Sequence, residues 1–360
     1  MRAAVLDAFS TPLIEQEVAA DDPAADEVLV RVLASGVCHS DRTVHLGAQE
    51  RPLPLILGHE ASGVVVQAGS AVTSVRPGDM VVACSAAFCG RCDWCLRGQP
   101  QHCAVKRGSR DAEAPPRLTA AGHEVHAFVG LGGFASHMLL SDQSVVKVPG
   151  AMPAGVAALL GCAVLTGMGA VRHRAGVRYG DTVAIIGCGG VGLNAIQGAR
   201  LAGAARVIAV DLSAAKLDRA TQFGATDLVD ASAEDPVGVV RALTGGGVDH
   251  ALEVVGRAKT IEQAFAMTRT RGTVTVVGVT RPEELVAIPA IEFMNEKRLQ
   301  GSRMGSSNFR LDIPLYCDMY LSGRLLLDEL ISEEIGLSEV NRALEQLDGS
   351  DGARSVIRFD

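Results

Sequence analysis

Short apolar runs separated by glycine and proline fill the first part of the chain, from residue 5 to about residue 148. Three of these runs, at 27–33, 63–66 and 79–83, are rich in β-branched residues. Runs of this length, bounded by turn-forming residues, predict short strands. We therefore expect an irregular, partly barrel-like all-β unit in this part of the chain.

The pattern changes after Pro153, where apolar strand-like runs alternate with helix-like segments. The predicted strands cover residues 182–186, 206–211, 227–229, 248–253 and 272–278, and a helix-like run covers 193–201. Such alternation predicts a doubly wound parallel sheet. From about residue 304 we expect one helix, at 314–323, and a last strand, at 355–359. The parallel-sheet domain is thus predicted to be inserted into the β-rich one.

Composition fits an ordinary globular protein of about two domains. The 360 residues are 48% hydrophobic and 21% charged, which excludes disordered, fibrous and small secreted classes. The 41 acidic and 33 basic residues give a net charge of −8, which argues against nucleic acid or an anionic membrane as a partner. Forty glycines and 4% aromatic residues indicate many tight turns and disfavour a base-stacking surface.

The sequence indicates a cytoplasmic protein with no membrane partner. Asp7 comes before any long apolar run, which argues against a signal peptide. Residues 151–171 carry no charge, but they include one proline and four glycines, so we expect a buried core helix there and not a membrane span. Nine cysteines, four of them between residues 89 and 103, indicate metal-binding thiolates in place of disulfides.

A glycine-rich motif, G-x-G-x-x-G, lies between a predicted strand and a predicted helix. It consists of Gly187, Cys188, Gly189, Gly190, Val191 and Gly192. In this context the motif predicts a dinucleotide pyrophosphate at the start of the helix. Asp211 ends the next strand, where a carboxylate binds ribose hydroxyls and repels a 2′-phosphate, so NAD is favoured. Lys216 could flank the adenosine ribose. A glycine turn without a ligand and a solvated lysine are the alternatives.

Four cysteines lie in a 15-residue loop with the spacing C-x2-C-x2-C-x7-C: Cys89, Cys92, Cys95 and Cys103. Four thiolates suit a closed, tetrahedral zinc site with a structural role. An iron–sulfur cluster and unligated thiols are the alternatives.

A second, dispersed set consists of Cys38, His59 and Cys162. Each alone would more often be a buried thiol or a core histidine. Their neighbours strengthen the case, since residues 38–41 read Cys-His-Ser-Asp and Glu60 follows His59. Two thiolates and one imidazole would leave zinc an open fourth position, as a catalytic site requires.

These motifs together resemble the zinc-containing alcohol dehydrogenases of the medium-chain dehydrogenase/reductase superfamily, over essentially the whole chain. The resemblance rests on residues 36–41, 58–63 with Gly69, the four-cysteine loop, 161–162, and 187–192 with Asp211. It implies an α/β fold in which a GroES-like, β-rich catalytic domain at 1–163 and 304–360 surrounds a Rossmann NAD-binding domain at 164–303. It also implies an NAD-dependent dehydrogenase with two zinc ions per chain, one catalytic and one structural.

The resemblance assigns roles residue by residue. Cys38, His59 and Cys162 correspond to the catalytic zinc ligands, and Glu60 corresponds to a carboxylate that can approach the metal during ligand exchange. Ser40 corresponds to the hydroxyl that binds the alcohol and starts proton transfer.

Further positions are implied around these ligands. Asp41 corresponds to the acid that orients His59. His39 and Arg354 correspond to residues that contact the cofactor pyrophosphate, with ordinary surface positions as the alternative.

One position departs from the family pattern. Many members carry a histidine five residues after the first zinc cysteine, and here Thr43 takes that place. His45 could substitute for it, or the proton could leave through a ribose hydroxyl to water.

The substrate pocket of the family corresponds here to Gln49, Ser85, Phe134 and Val279, of which Val279 would also contact the cofactor. The small Ser85 favours bulky primary alcohols, either aromatic, allylic or long-chain. A formaldehyde–thiol adduct (glutathione or mycothiol) is the alternative substrate, and a non-catalytic NAD- and zinc-binding protein is a minor one. A homodimer is expected, with residues 286–289 as an edge strand and 104–133 as a loop kept in dimeric members; a tetramer is the alternative.

Overall fold

The computed structural model describes residues 1–104, 110, 114–347 and 352–359. The chain forms two compact units, the first made of Met1–Cys162 with Asn308–Asp360 and the second of Ala163–Ser307. The first unit is rich in strands, and the second alternates strands and helices. The α/β fold class is therefore as predicted. The domain limits 1–163, 164–303 and 304–360 stay predictions, and parts of the 104–133 loop and of the tail lie outside the described residues.

The first unit is organised around one long strand, Glu27–Val37. This strand pairs antiparallel with Glu60–Ala68, His137–Ser141 and Arg354–Arg358. The other strands of this unit are Arg2–Leu6, Ile14–Glu17, Ala19–Ala20, Leu55–Ile56, Met80–Ala83, Leu118–Ala120, His123–Glu124, His126–Ala127, Val145–Lys147 and Ile331–Ile335. Its α-helices are His39–His45, Asp93–Leu96, Ala154–Leu159, Phe309–Leu321 and Val340–Gln346. The predicted β-rich unit is thus present.

The register of the central strand brings distant parts of the chain together. Gly36 pairs with Glu60, and Val37 pairs with Ser355. Strand neighbours lie about 5 Å apart, so Cys38, Glu60 and Arg354 come close although up to 316 residues separate them in sequence.

The second unit is a parallel sheet of six strands. Their spatial order is Asp227–Asp230, Arg206–Asp211, Thr182–Ile186, Val248–Glu253, Thr268–Val276 and Arg298–Gly301. Its α-helices are Leu165–Gly169, Gly190–Leu201, Ala214–Phe223, Pro236–Thr244 and Ala258–Met267. The chain order of the strands in space is 3-2-1-4-5-6, which is the doubly wound Rossmann order.

Helix ends in this unit follow from local sequence. Asp235 accepts hydrogen bonds from the backbone N–H groups of Val237 (3.2 Å) and Gly238 (3.0 Å), and Pro236 occupies the first helical position. The same helix ends at Gly245, whose φ of 65° suits a residue without a Cβ. Capping of this kind fixes the two ends of the helix Pro236–Thr244.

One helix is long and apolar enough to cross a membrane by length and composition alone. It spans Ala154–Ala175, and 94% of its most apolar window is buried inside the protein. Such burial is typical of a core helix, in agreement with the sequence-based expectation.

Several predicted elements need correction. The tail, predicted to hold one helix, holds two α-helices, Phe309–Leu321 and Val340–Gln346, and the strand predicted at 272–278 covers Thr268–Val276. The helix expected at 314–323 begins earlier, at Phe309, because the Asp312 carboxylate accepts the Asn308 N–H (2.9 Å) and Pro314 is tolerated inside the helix. Residues 286–289 form no strand in the described structure, and Arg298–Gly301 is the edge strand on that side of the sheet.

Candidate metal and nucleotide sites

Four buried side chains able to bind a metal meet in the first unit: Cys38, His59, Glu60 and Cys162. Their donor atoms all lie within 4.8 Å of one another. Each residue is at most 9% exposed. Thiolates and imidazole are preferred zinc ligands, so the donor set fits zinc. The structure therefore brings together the three predicted ligands and the predicted neighbouring carboxylate.

Each of these side chains has a fixed place on a secondary-structure element. Cys38 lies between the central strand and the helix His39–His45, Glu60 is the first residue of the strand Glu60–Ala68, and His59 immediately precedes that strand. Cys162 lies in a π-helical turn, Leu160–Val164, within a longer helix. Such turns often occur at functional sites, and nothing in the sequence pattern indicated this one. A Cβ at the preceding Gly161 would collide with the Ala83 carbonyl oxygen, so glycine permits the close approach.

Asp41 orients the His59 ring. Its Oδ1 lies 3.0 Å from His59 Nδ1 and also accepts the Gly58 N–H (2.9 Å), while Oδ2 accepts the Cys38 N–H (3.1 Å). The carboxylate thus holds a proton on Nδ1, which leaves Nε2 as the metal-binding nitrogen. Burial opposes a charged ring here, but the nearby Asp41 raises the pKa of His59 well above its usual range.

Arg354 forms a buried ion pair beside the ligands. Its Nε lies 3.0 Å from Glu60 Oε2, and its Nη2 lies 3.1 Å from Glu60 Oε1 and 3.2 Å from Cys38 Sγ. A hydrogen bond from Cys162 and the charge of Arg354 lower the pKa of Cys38 well below its usual value. Burial raises the pKa of Glu60 although Arg354 opposes this shift. A Cβ at Gly36 would collide with the Glu60 carboxylate, so this glycine makes room for the pair.

The four cysteines of the loop also converge. Cys92 Sγ lies 3.5 Å from Cys95 Sγ and 3.8 Å from Cys103 Sγ, and Cys89 Sγ lies 4.0 Å from Cys95 Sγ. Zinc–sulfur bonds of 2.3 Å in a tetrahedron require sulfur separations of about 3.8 Å, so the loop fits zinc. All nine cysteines of the chain are free thiols, as the metal interpretation requires.

Backbone and burial effects differ among these thiols. A backbone hydrogen bond near Cys95 lowers the pKa of Cys92 to about 6, whereas burial raises the pKa of Cys95 to about 12. The Cys89 N–H donates to Cys103 Sγ (3.3 Å), and the Cys92 N–H donates to Cys89 Sγ (3.3 Å). Such bonds stabilise thiolates, which are the form that binds metal.

The glycine-rich motif lies at the start of the 12-residue helix Gly190–Leu201. Gly187 has a φ of 99°, and a Cβ at Gly192 would collide with its carbonyl oxygen. By contrast, no described atom lies within 4 Å of the Cβ position of Gly189. Open space beside the unpaired N–H groups of a helix N-terminus fits a phosphate group, so the residues present fit a dinucleotide.

Asp211 lies next to this motif at the end of its strand. Its Oδ2 accepts the Cys188 N–H (2.7 Å), and its Oδ1 accepts the N–H groups of Leu212 (2.8 Å) and Ser213 (3.0 Å). Lys216 is half-buried in the following helix. The structure thus places Asp211 beside the glycine motif, while the cofactor roles of both residues stay predictions.

The predicted proton-relay positions have other partners. Thr43 Oγ1 donates to the His39 carbonyl oxygen (2.8 Å), and His45 Nε2 lies 2.8 Å from the Thr11 carbonyl oxygen. Ser40 is half-buried and His39 is exposed.

The predicted pocket positions divide into two groups. Gln49 and Ser85 are half-buried, and Val279 is 69% exposed, so all three are accessible. Phe134 is fully buried in the apolar core of the first unit, where it packs with residues such as Val5 and Leu57. The prediction that Phe134 lines the pocket is therefore wrong, because the ring has no accessible surface.

Comparisons with known families agree with this architecture. The family described as "Alcohol dehydrogenase GroES-like domain" matches residues 24–150, and the family described as "Zinc-binding dehydrogenase" matches residues 190–318. The NDMA-dependent alcohol dehydrogenase of Amycolatopsis methanolica is 36% identical over 99% of this chain and 98% of its own length. The S-(hydroxymethyl)glutathione dehydrogenase of Saccharomyces cerevisiae is 34% identical over 99% of this chain and 96% of its own length.

Solved structures give the same result. A zinc-binding-domain alcohol dehydrogenase protein of Burkholderia ambifaria superposes with a TM-score of 0.95 at 34% identity, covering 100% of this chain and 98% of that one. The benzyl alcohol dehydrogenase of Acinetobacter calcoaceticus superposes with a TM-score of 0.94 at 30% identity, covering 100% of this chain and 99% of that one. A zinc-binding dehydrogenase of Sinorhizobium meliloti, solved with NADP, gives 0.83 at 30% identity, covering 99% of each chain.

Family matches cover both units, relatives align over nearly their whole length, and the two cysteine-containing clusters are suited to zinc. The chain belongs to the zinc-containing alcohol dehydrogenases, which are oxidoreductases of the medium-chain dehydrogenase/reductase superfamily.

Proposed function

We propose that this protein interconverts a primary alcohol and its aldehyde, with NAD as hydride carrier and zinc held by Cys38, His59 and Cys162. The observation that carries the proposal is the buried cluster of these three side chains with Asp41 bonded to the His59 ring. Cys89, Cys92, Cys95 and Cys103 would hold a second, structural zinc.

Zinc held by Cys38, His59 and Cys162 would act as a Lewis acid that acidifies an alcohol hydroxyl and polarises an aldehyde carbonyl. The side chains around it prepare this chemistry. Asp41 keeps His59 in one tautomer and one orientation. Arg354 balances the negative charge of Cys38 and Glu60 in a buried place, where uncompensated charge would be costly. Glu60 remains close enough to exchange with another ligand.

Ser40 is the proposed acceptor of the substrate proton. Ser40 lies two residues after Cys38 and is half-buried, so its side chain is close in sequence to a proposed zinc ligand and partly accessible to solvent. Because Thr43 donates to a carbonyl oxygen and His45 Nε2 lies within hydrogen-bond distance of another, we propose that the proton continues from Ser40 to solvent without them.

NAD is the proposed cofactor, although one structural relative was solved with NADP. The support is the Asp211 carboxylate at the strand end beside the glycine motif, since negative charge there repels a 2′-phosphate. His39, Lys216 and Val279 are proposed as further cofactor contacts, and so is Arg354, whose buried guanidinium would have to leave Glu60 and Cys38 to reach a pyrophosphate. Comparing rates with NAD and NADP tests the assignment, and equal kcat/KM values would contradict it.

Bulky primary alcohols, aromatic or allylic, are the proposed substrates. Support comes from the small, half-buried Ser85 and from the similarity to a benzyl alcohol dehydrogenase. We expect Ser85→Phe to lower kcat/KM for benzyl alcohol about tenfold or more, since one ring-sized clash exceeds the 1–3 kcal/mol effect of a methylene. Ethanol oxidation should change much less. Equal losses on both alcohols would contradict this assignment.

A formaldehyde–thiol adduct is the second candidate substrate. The similarity to an S-(hydroxymethyl)glutathione dehydrogenase favours it, as does Thr43 in place of a histidine. Formation of NADH should be followed with zinc-loaded protein and a panel of free alcohols, without thiol. Turnover of free benzylic or allylic alcohols would support the first proposal. Activity only with formaldehyde plus glutathione or mycothiol would favour the second.

We also propose a homodimer in the cytoplasm whose only ligands besides zinc are small molecules. The net charge of −8 disfavours nucleic acid and anionic membranes as partners. Exposed apolar residues on the second unit support self-association, with a tetramer as the alternative.

A further inference from the structure

Glu253 is a buried carboxylate that the proposed chemistry does not use. It is the last residue of the strand Val248–Glu253, and it is fully buried. Its Oε1 accepts hydrogen bonds from the N–H groups of Val255 (2.8 Å) and Gly256 (2.7 Å) and from the Thr260 hydroxyl (2.8 Å). Its Oε2 is buried and has no partner among the described residues. The carboxylate therefore fixes the turn at 254–256 and ties it to the following helix.

This turn packs directly on the glycine-rich motif. A Cβ at Gly187 would lie 2.8 Å from the Val255 side chain and 3.0 Å from the Val254 side chain. A Cβ at Gly192 would lie 3.3 Å from the same Val254 side chain. The Val254 N–H also donates to the Ile186 carbonyl oxygen (3.0 Å), immediately before the motif. A shift of the turn would therefore move the walls against which the motif is packed.

The same residue also holds a third segment. The Glu253 carbonyl oxygen accepts the N–H groups of Val277 (2.8 Å) and Gly278 (3.1 Å). Gly256 and Gly278 are so close that a Cβ on either would collide with backbone of the opposite segment. Three segments that follow adjacent parallel strands thus meet around Glu253. In sheets of this kind ligands bind at the carboxyl ends of the strands, which is where these segments lie.

We propose that Glu253 is a positioning residue for the dinucleotide, because its carboxylate fixes the turn that shapes the glycine-rich motif. The inference rests on the proposed function, in which this motif binds NAD. Sites of this kind need supporting residues that lock the groups in contact with the ligand. Three donors converge on Oε1, and removal of the carboxylate would take this acceptor from the N–H groups of Val255 and Gly256, whereas the Thr260 hydroxyl would keep the Arg257 carbonyl oxygen as acceptor (2.9 Å).

The test uses Glu253→Val, which removes the acceptors, and Glu253→Gln, which retains a carbonyl oxygen for them. Asp249 offers a matched control at the opposite end of the same strand. Its Oδ2 accepts the N–H (2.9 Å) and the hydroxyl (2.8 Å) of Thr182, which is a similar donor set away from the glycine motif. The control variants are Asp249→Val and Asp249→Asn.

The measurements are the Kd for NADH by fluorescence titration and the KM for NAD, KM for alcohol and kcat of the zinc-loaded enzyme. We expect Glu253→Val to raise the Kd for NADH and the KM for NAD about tenfold, with kcat at saturating NAD and the KM for alcohol within about twofold of wild type. In Glu253→Gln the Kd for NADH should lie within about threefold of the wild-type value. Asp249→Val should lower thermal stability without raising the Kd.

An unchanged Kd in folded Glu253→Val, or an equal rise in Asp249→Val, would overturn the inference. If Glu253→Val does not fold, Thr260→Val decides, since it removes one donor to Oε1 and should raise the Kd about threefold, with Thr260→Ser as its rescue. An unchanged Kd in Thr260→Val would then overturn the inference. Wild-type protein that does not bind NADH would contradict the proposed function itself.

Discussion

At the residue scale, the buried cluster of Cys38, His59, Glu60 and Cys162 depends on opposite charges that compensate one another where water is excluded. Arg354 contacts both Glu60 and Cys38, and Asp41 contacts the His59 ring. The local motifs at 36–41 and 58–63 predicted Cys38, Asp41, His59 and Glu60, because these residues lie next to one another in short segments. The ion pair between Arg354 and Glu60 spans 294 residues, and only the strand register brings the two together.

Asp41→Asn tests whether Asp41 orients the His59 ring, without a large change in side-chain shape that could affect folding. The amide keeps the shape of the side chain but loses the charge that holds the Nδ1 proton. We expect kcat/KM to fall about 10–100-fold, the range found when an acid behind a metal-bound histidine is replaced. Steady-state kinetics and the zinc content of purified protein measure the effect.

Asp79→Asn is the matched control for Asp41→Asn. Asp79 forms an ion pair with Lys147 (2.6 Å) in the same unit, away from the metal-binding side chains. Its substitution should leave kcat/KM unchanged, and equal losses in both variants would contradict the orienting role of Asp41.

At the element scale, sequence patterns succeeded where a strand is one apolar run between turn residues. The strands 182–186, 206–211 and 248–253 were predicted with the limits that the structure has. The π-helical turn at Leu160–Val164 was not predictable, because an apolar helix and one with an extra residue in a turn have the same composition. Residues 286–289 are apolar enough for a strand but pair with no neighbouring strand among the described residues.

The four-cysteine loop should depend on its metal for order. It holds one short α-helix, Asp93–Leu96, and one 3-10 turn, Pro100–His102, and its Trp94 and Leu96 side chains are exposed, so apolar packing contributes little. We expect Cys103→Ser to reduce the zinc content from about two ions per chain to about one. Limited proteolysis should then cut within the loop at lower protease concentration. Cys317→Ser, at a buried thiol of the same unit, should retain both ions. Two ions in Cys103→Ser would contradict the four-ligand site.

A second cluster joins Glu27 to two arginines, Arg110 and Arg117, that follow this loop in sequence. Glu27 is almost fully buried and accepts hydrogen bonds from Arg110 (2.8 Å) and Arg117 (2.7 Å), more than 80 residues away. Burial alone would raise the pKa of Glu27, but the two guanidinium groups hold it below its ordinary value of 4.5. The ionic contacts of Glu27 with Arg110 and Arg117 therefore contribute to stability in a pH-dependent way.

Glu27→Gln should lower the melting temperature at neutral pH by about 5–10 °C, since it removes a buried charge that pairs with Arg117 and, together with Asp21, with Arg110. A carboxylate whose pKa is lowered by folding stabilises the protein at any pH above its pKa in the unfolded state. This contribution is lost as the pH falls through its pKa in the folded state. The difference between wild type and variant should therefore shrink below pH 4.5. Glu15→Gln, at an exposed pair with Arg2, should change the melting temperature little at any pH. A pH-independent difference would contradict the ionic interpretation.

At the scale of the whole molecule, the second unit carries an exposed apolar segment that suits self-association. Leu285, Ile291 and Met294 are 86%, 71% and 79% exposed. Large exposed apolar patches are typical of interfaces between chains, and these three side chains fall within one ten-residue segment, 285–294. The sequence indicated the segment but not its form, since residues 286–289 were expected to be a strand and are not one within the single chain.

We expect wild-type protein to have the mass of two chains by light scattering during size-exclusion chromatography. The double variant Ile291→Glu with Met294→Glu should have the mass of one chain, because buried charges would oppose the interface. Tyr179→Glu, at a 92% exposed ring elsewhere on the unit, should remain a dimer. Wild-type protein with the mass of one or of four chains would contradict the dimer.

Gly36 and Gly161 supply no ligand, charge or proton, yet any side chain at either position would collide with the site's own framework. At Gly36 it would displace the Glu60 carboxylate, and at Gly161 it would push the turn that carries Cys162 away from Ala83. Natural selection should therefore act on these two codons as strictly as on those of the metal ligands. In a library of random variants, both positions should be as intolerant as Cys38, although neither takes part in the reaction.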